Sequence, residues 1–217
     1  MTVVPLKRNQ MAAGVLAGGG GKRLGGRPKG LLKVGPGTCI MEKQVAELAR
    51  SGMEEVIILT NDPRPYRAIG PRIVPDLRVG TGPLGGIEAA VSYYASRFQA
   101  TLFLPCDLPG ITARQIRILK RSFLRARAGV AVAVTKGDLR EPLCAVVDNR
   151  LLSAVSKAIG EGQRKVGDVW QNMEVAFVHF PDPEPFFNVN TPADLLCWLT
   201  GQGKRNIARE GCAGMVP

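Results

Sequence analysis

Ala12-Ala-Gly-Val-Leu-Ala17, followed at once by Gly18-Gly-Gly-Gly-Lys-Arg-Leu-Gly-Gly-Arg-Pro-Lys-Gly30, is the stretch that decides the fold. An unbroken run of small and apolar residues predicts a strand buried on both faces, and the glycine-rich break after it predicts a turn at the strand's carboxyl end. Glycines without Cβ let consecutive backbone N–H groups point into one concavity, while Arg23 and Lys29 add positive charge to the same turn. In open α/β sheets this edge is where ligands bind. Two common phosphate-binding patterns fail here. A G-x-x-x-x-G-K-[ST] loop ending at Gly21-Lys22 would need Gly at 16 and a hydroxyl at 23, where Leu16 and Arg23 stand. A G-x-G-x-x-G loop would need Gly at 23 or 24, where Arg23 and Leu24 stand.

Outward from this strand, further β-type runs lie at Glu55–Leu59, Arg72–Val74, Thr101–Leu104, Val130–Val134, Leu143–Val147 and Val175–Val178, alternating with helical patterns. The alternation predicts one α/β domain of Rossmann-like three-layer type with a mostly parallel sheet. Met41, Val45 and Leu48 mark one apolar helix face, Thr112-Ala-Arg-Gln115 fits a capping box, and Thr191-Pro-Ala-Asp194 opens a last helix with a capping threonine and proline at its first position. The expected organisation is an extension over 1–11, a domain over 12–200 and a polar tail over 201–217.

The chain has 217 residues with a formal net charge of +11, and 45% of them are hydrophobic. That composition supports a sizeable core and excludes disorder as the main state. The longest apolar runs are far short of the roughly 20 residues of a spanning helix. The N-terminus shows no apolar signal region, so a cytoplasmic location is expected. Five scattered cysteines without a C-x-x-C pair argue against a zinc site or disulfide framework. The basic balance points to anionic partners. Arg114, Arg117, Lys120, Arg121, Arg125 and Arg127 crowd one helix, but no aromatic-interleaved or finger motif accompanies them, so a nucleic-acid-binding module is the disfavoured alternative.

Leu16-Ala-Gly-Gly19, Arg23-Leu-Gly-Gly26, Lys29-Gly-Leu-Leu32, Gly82-Pro-Leu-Gly-Gly86, Pro105-Cys-Asp-Leu-Pro109 and Phe187-Asn-Val-Asn-Thr-Pro192, in that order, resemble the molybdenum cofactor guanylyltransferases, within the nucleotide-diphospho-sugar transferase-like superfamily. Gly20, Gly21 and Pro28 depart from the pattern of that loop. The resemblance implies transfer of GMP from GTP to molybdenum cofactor with release of pyrophosphate, with Mg²⁺ as cofactor and Asp107 as its ligand. It implies Arg23, Lys29 and Asp107 as catalytic residues. Leu16, Ala17, Gly18, Gly19, Lys29, Asn61, Asp76 and Asp107 are the implied nucleotide-binding set.

From the residues themselves, Asp107 follows a buried run and should emerge at the same edge as the glycine loop, where a turn satisfied by its own backbone is the alternative. Asn61 ends another strand there, and a nucleotide contact and a turn-forming role fit it equally. Glu141, Asn188 and Asn190 fit either the second substrate or caps and turns. His179, in a strand pattern, fits a packed or edge position better than a catalytic one. The resemblance further implies contacts with cofactor-delivering and acceptor proteins. Cytidylyl transfer to the same pterin, or nucleotidyl transfer to a sugar phosphate, are the sibling readings; relatives of those kinds more often carry Leu-Ala-Ala-Gly and Gly-Asp-Met-Pro.

Overall fold

Backbone pairing extends the first strand further than its apolar run: it spans Lys7–Leu16, where the sequence predicts a start at Ala12. Lys7 lies opposite Phe98 and Met11 opposite Ala100, with a register irregularity between. Ladder hydrogen bonds are made by the main chain, so polar residues can carry a strand past the point where its hydrophobic signal stops. Residues 7–11 therefore belong to the domain rather than to an extension. The structure, a computed structural model, describes residues 7–18, 25–53 and 55–201, with side chains from residue 10 onward. Apart from Gly201, the expected tail lies outside the described residues.

In chain order the strands are β1 (Lys7–Leu16), β2 (Lys33–Gly35), β3 (Thr38–Cys39), β4 (Val56–Leu59), β5 (Arg72–Val74), β6 (Phe98–Pro105), β7 (Val130–Thr135), β8 (Leu139–Asp148) and β9 (Val175–His179). The helices are α1 (Ile40–Arg50), α2 (Pro83–Tyr94), α3 (Ala113–Ala126), α4 (Leu152–Gly160), α5 (Val166–Gln171) and α6 (Pro192–Leu199). Seven strands form one sheet in the order β5-β4-β1-β6-β8-β7-β9, and β2 and β3 form a small separate hairpin. Pairing is parallel except around β8, which runs antiparallel to both β6 and β7. Only Lys136–Asp138 separate β7 from β8, too few residues for the crossover that a parallel pair needs.

The strict two-residue period of a strand divides β1 between two cores. Met11, Ala13 and Val15 point to the side covered by α1 and α3, where Met41, Leu48, Ile116, Leu119 and Phe123 meet them. Ala12 and Leu16 point to the opposite side, packed by Leu84, Ile87 and Val91 of α2 and by residues of α4 and α5. The result is the expected α/β/α layering. Gly14 sits where a Cβ would come within 2.8 Å of Leu59 Cδ1 and 3.3 Å of Phe103 Cε1, so its absent side chain is what lets β4 and β6 close on β1. α6 opens at the expected capping threonine, and a full capping box forms there, with Thr191 Oγ1 accepting from Asp194 N at 3.2 Å and Asp194 Oδ2 accepting from Thr191 N at 2.8 Å. The Thr112 box does not close. Its hydroxyl accepts from Arg114 N, while the Gln115 side chain turns to the Thr112 hydroxyl instead of the backbone.

Candidate functional site

β4 and β6 flank β1 on opposite sides, and their connections leave in opposite directions, which opens a crevice at the carboxyl ends of these strands. The cleft there has a volume of about 660 Å³. Leu16, Ala17 and Gly18 line it from the end of β1, Asn61 from beyond β4, Asp76 from beyond β5 and Asp107 from beyond β6. Lys29 enters from the turn Lys29–Leu31 and Asn190 from the segment before α6. Of the residues expected from the sequence, Leu16, Ala17, Gly18, Lys29, Asn61, Asp76 and Asp107 thus share one cleft. Gly19 and Arg23 lie outside the described residues. Asn188 turns its amide to Phe186 O at 3.2 Å, a local turn contact. His179 is exposed on the edge strand β9.

Lys29 Nζ lies 2.9 Å from Asp107 Oδ2 and also donates to Asn190 Oδ1, so residues from three distant parts of the chain meet at one ammonium group. The Lys29 side chain is 28% exposed and that of Asp107 14%, enough shielding from water to strengthen their attraction. The Lys29 turn is seated on Tyr66. A Cβ on Gly30 would approach Tyr66 Cε1 to 3.1 Å and the Tyr66 hydroxyl oxygen to 3.3 Å. Across the cleft, Asn61 Nδ2 donates to Asp76 Oδ2 at 2.8 Å, and Asp76 N donates to Asn61 Oδ1 at 3.0 Å. This reciprocal pair fixes the carboxylate. Behind it, α2 comes very close: a Cβ on Gly85 would collide with Thr81 Oγ1 and lie 3.1 Å from Asp76 Cγ.

Ala17 N donates to Leu59 O at 2.9 Å, because the parallel ladder continues one residue past the strand. Gly18, the next residue, lines the cleft, and a Cβ there would meet nothing within 4 Å. Sequence reasoning also passed over Leu143, Gly80 and Pro105 as lining residues. Leu143 reads in the sequence only as part of a strand, and nothing in its type marks it.

Burial, with the charge of Asp107 as a secondary cause, pushes the Glu141 carboxyl up to about 7. Burial, with Asp107 again adding, pushes the Cys106 thiol up to about 12, which leaves it protonated and a poor nucleophile. Among the described residues, the cleft's polar side chains are an ammonium, two carboxylates and two amides. Among the described residues no three His, Cys, Asp or Glu side chains gather as a metal cage. Asp107 Oδ1, however, is buried without a hydrogen-bond partner while Oδ2 faces Lys29. An orphaned carboxylate oxygen fits a hard cation such as Mg²⁺, which takes one or two carboxylates and completes its shell with waters and substrate phosphates.

Residues 13–175 match the model of the family described as the MobA-like NTP transferase domain. A protein of Pelotomaculum thermopropionicum named "Probable molybdenum cofactor guanylyltransferase" is 35% identical over 85% of this chain and 90% of its own. The molybdenum cofactor guanylyltransferase of Pseudomonas fluorescens is 33% identical, over 82% of this chain and 88% of its own. Among solved structures, the molybdopterin-guanine dinucleotide biosynthesis protein A of Archaeoglobus fulgidus superposes with a TM-score of 0.71 at 23% identity, covering 89% of this chain and all of that one. Together with the sheet order and the crevice at its switch point, these matches place the molecule: the chain is a nucleotidyltransferase belonging to the molybdenum cofactor guanylyltransferase family, built on a MobA-like NTP transferase domain.

Proposed function

We propose that the chain transfers GMP from GTP to molybdenum cofactor, forming molybdopterin guanine dinucleotide and pyrophosphate. The observation that carries this reading is the Lys29–Asp107 pair at the floor of the switch-point cleft, with one Asp107 oxygen left unpartnered. Asp107 would hold Mg²⁺, which supplies charge neutralisation on the phosphate oxygens of the nucleotide. Lys29, freed from Asp107 when the nucleotide arrives, directs its ammonium to the triphosphate and stabilises the departing pyrophosphate. Gly18 offers its amide to the same anion, and Gly19 and Arg23 continue the loop in that role. Asp76, held by Asn61, accepts from nucleoside hydroxyl or ring N–H groups. Asn190, beside Lys29, faces the acceptor.

A phosphate oxygen of the acceptor attacks the α-phosphorus, and the bond from that phosphorus to the bridging β-oxygen breaks. No general base is needed, because the attacking phosphate is already ionised; alignment and charge neutralisation carry the rate. Proteins that deliver the cofactor and receive the product complete the proposed partners, and the cytoplasm is the proposed compartment. No described helix is long and apolar enough to cross a membrane. The test is direct: incubate the purified protein with Mg²⁺, molybdenum cofactor and each of the four nucleoside triphosphates, and detect the dinucleotide. GTP should be the preferred donor by a large factor. Equal turnover with CTP would overturn the guanylyl assignment.

A further inference from the structure

The loop that carries Asp107 is gripped from outside by one face of α1. Gln44 is 1% exposed, and its single amide nitrogen donates to Pro105 O at 2.9 Å and to Leu108 O at 3.2 Å, the carbonyls on either side of Cys106-Asp107. Its neighbour Lys43 donates from Nζ to Pro109 O at 2.6 Å. One turn further on, Glu47 Oε2 accepts from Ala113 N at 2.7 Å, at the start of α3. Asp107 O is itself bonded by Val189 N at 2.9 Å. The carbonyls of residues 105, 107, 108 and 109 are thus all held by groups from elsewhere in the chain.

A side-chain amide has two donor hydrogens, and both of Gln44's are matched to carbonyls of this one turn. The opposite orientation would set Oε1 against two carbonyl oxygens, so the network fixes which way the amide faces. Gln44 Oε1, meanwhile, has no partner and is buried. A buried polar group with an unsatisfied oxygen is an unfavourable choice for mere core filling, where a leucine or methionine of similar size would serve better. What Gln44 provides and an apolar residue cannot is a bracket around the residue at the floor of the cleft.

We propose that Gln44 is a positioning residue for the transfer reaction: by donating to the carbonyls on both sides of Asp107, it fixes the turn that aims the Asp107 carboxylate at its cation. This rests on the reading of Asp107 as the cation site. Outer partners of this kind typically govern metal affinity by about 10–100-fold.

The experiment uses the full-length protein in three forms: wild type, Gln44→Met and Asp107→Asn. Mn²⁺ affinity in the presence of GTP without acceptor is followed by electron paramagnetic resonance. The Mg²⁺ concentration for half-maximal transfer, kcat at saturating Mg²⁺ and the thermal midpoint are measured alongside. Gln44→Met should weaken Mn²⁺ binding and raise the Mg²⁺ requirement in parallel, by about tenfold, with kcat recovering at high Mg²⁺. A lowered thermal midpoint with unchanged Mn²⁺ affinity would overturn the proposal, since a purely structural residue behaves that way. If Asp107→Asn leaves Mn²⁺ binding intact, the underlying reading of Asp107 fails instead. Should Gln44→Met not fold, Gln44→Glu keeps the shape and replaces the donor nitrogen; wild-type Mn²⁺ affinity in it, or loss of the fold in both variants, also overturns the proposal.

Discussion

Replacing Lys29 by alanine separates binding at a built site from general basicity, because Lys29 is one of 29 cationic side chains. Its ammonium lies 2.9 Å from Asp107 and is only 28% exposed, so it works in a partly shielded setting. A hydrogen bond to a charged group there is worth about 1.5–3 kcal/mol, and at about 1.4 kcal/mol per factor of ten this is roughly 10- to 150-fold in rate. Arg121 on α3 is exposed and far along the helix from the cleft. Its loss should cost no more than about 0.5 kcal/mol. Initial rates of dinucleotide formation from GTP, with circular dichroism to verify folding, compare Lys29→Ala with Arg121→Ala. The lysine variant should fall at least about tenfold and the arginine variant stay near wild type. Equal losses in the two would refute the assignment of the triphosphate to the Lys29 turn.

Asp107→Asn should fold normally yet lose its Mg²⁺-dependent transfer, because the amide keeps the shape and removes the charge that a hard cation needs; near-normal turnover would reject Asp107 as ligand. Gly85→Ala should destabilise the protein by about 1–3 kcal/mol and raise the KM for GTP, since the new methyl would press on Thr81 and Asp76; chemical denaturation and steady-state kinetics check both. Glu141 provides a pH signature. Its carboxyl is raised by burial first and by Asp107 second, from 4.5 to about 7, so the native state holds a proton that the unfolded chain has released over that window. Stability of the metal-free protein should therefore decline as pH rises from about 4.5 to 7 and level off above. Thermal unfolding of Glu141→Gln should lack that decline, and parallel curves for the two proteins would reject the assignment.

Each of the seven strands of the main sheet contains an apolar run visible in the sequence, and the run is most continuous in the central strands, which are buried on both faces. Their edges are less visible. β8 reads as Leu143–Val147 but extends back to Leu139 through Arg140 and Glu141, and its antiparallel direction follows from a connection whose length the apolar pattern does not show. The β2–β3 hairpin is too short to leave a period, and α4 and α5 carry no capping signal strong enough to stand out. In the site, Asn61, Asp76 and Asp107 are legible because each follows a strand. Asn190 meeting Lys29 is not, since 161 residues separate them. Gln44 is the least visible: between Met41, Val45 and Leu48 it looks like any polar position of an amphipathic helix, and only the packed structure shows it turned inward.

The long reach of that last contact bears on how the protein is made. Ribosomes add roughly 5–20 residues per second, so Asn190 emerges roughly 8–30 s after Lys29 on that scale. Until then the nascent chain can pair β1, β4 and β6, yet Val189 N is not there to hold Asp107 O, and Lys29 has no amide oxygen beside it. A chain halted before residue 189 would carry most of the cleft's walls and none of its closure. Such a fragment keeps the residues proposed to hold the nucleotide and lacks Asn190, the one proposed to face the acceptor, so it should bind GTP without turning it over.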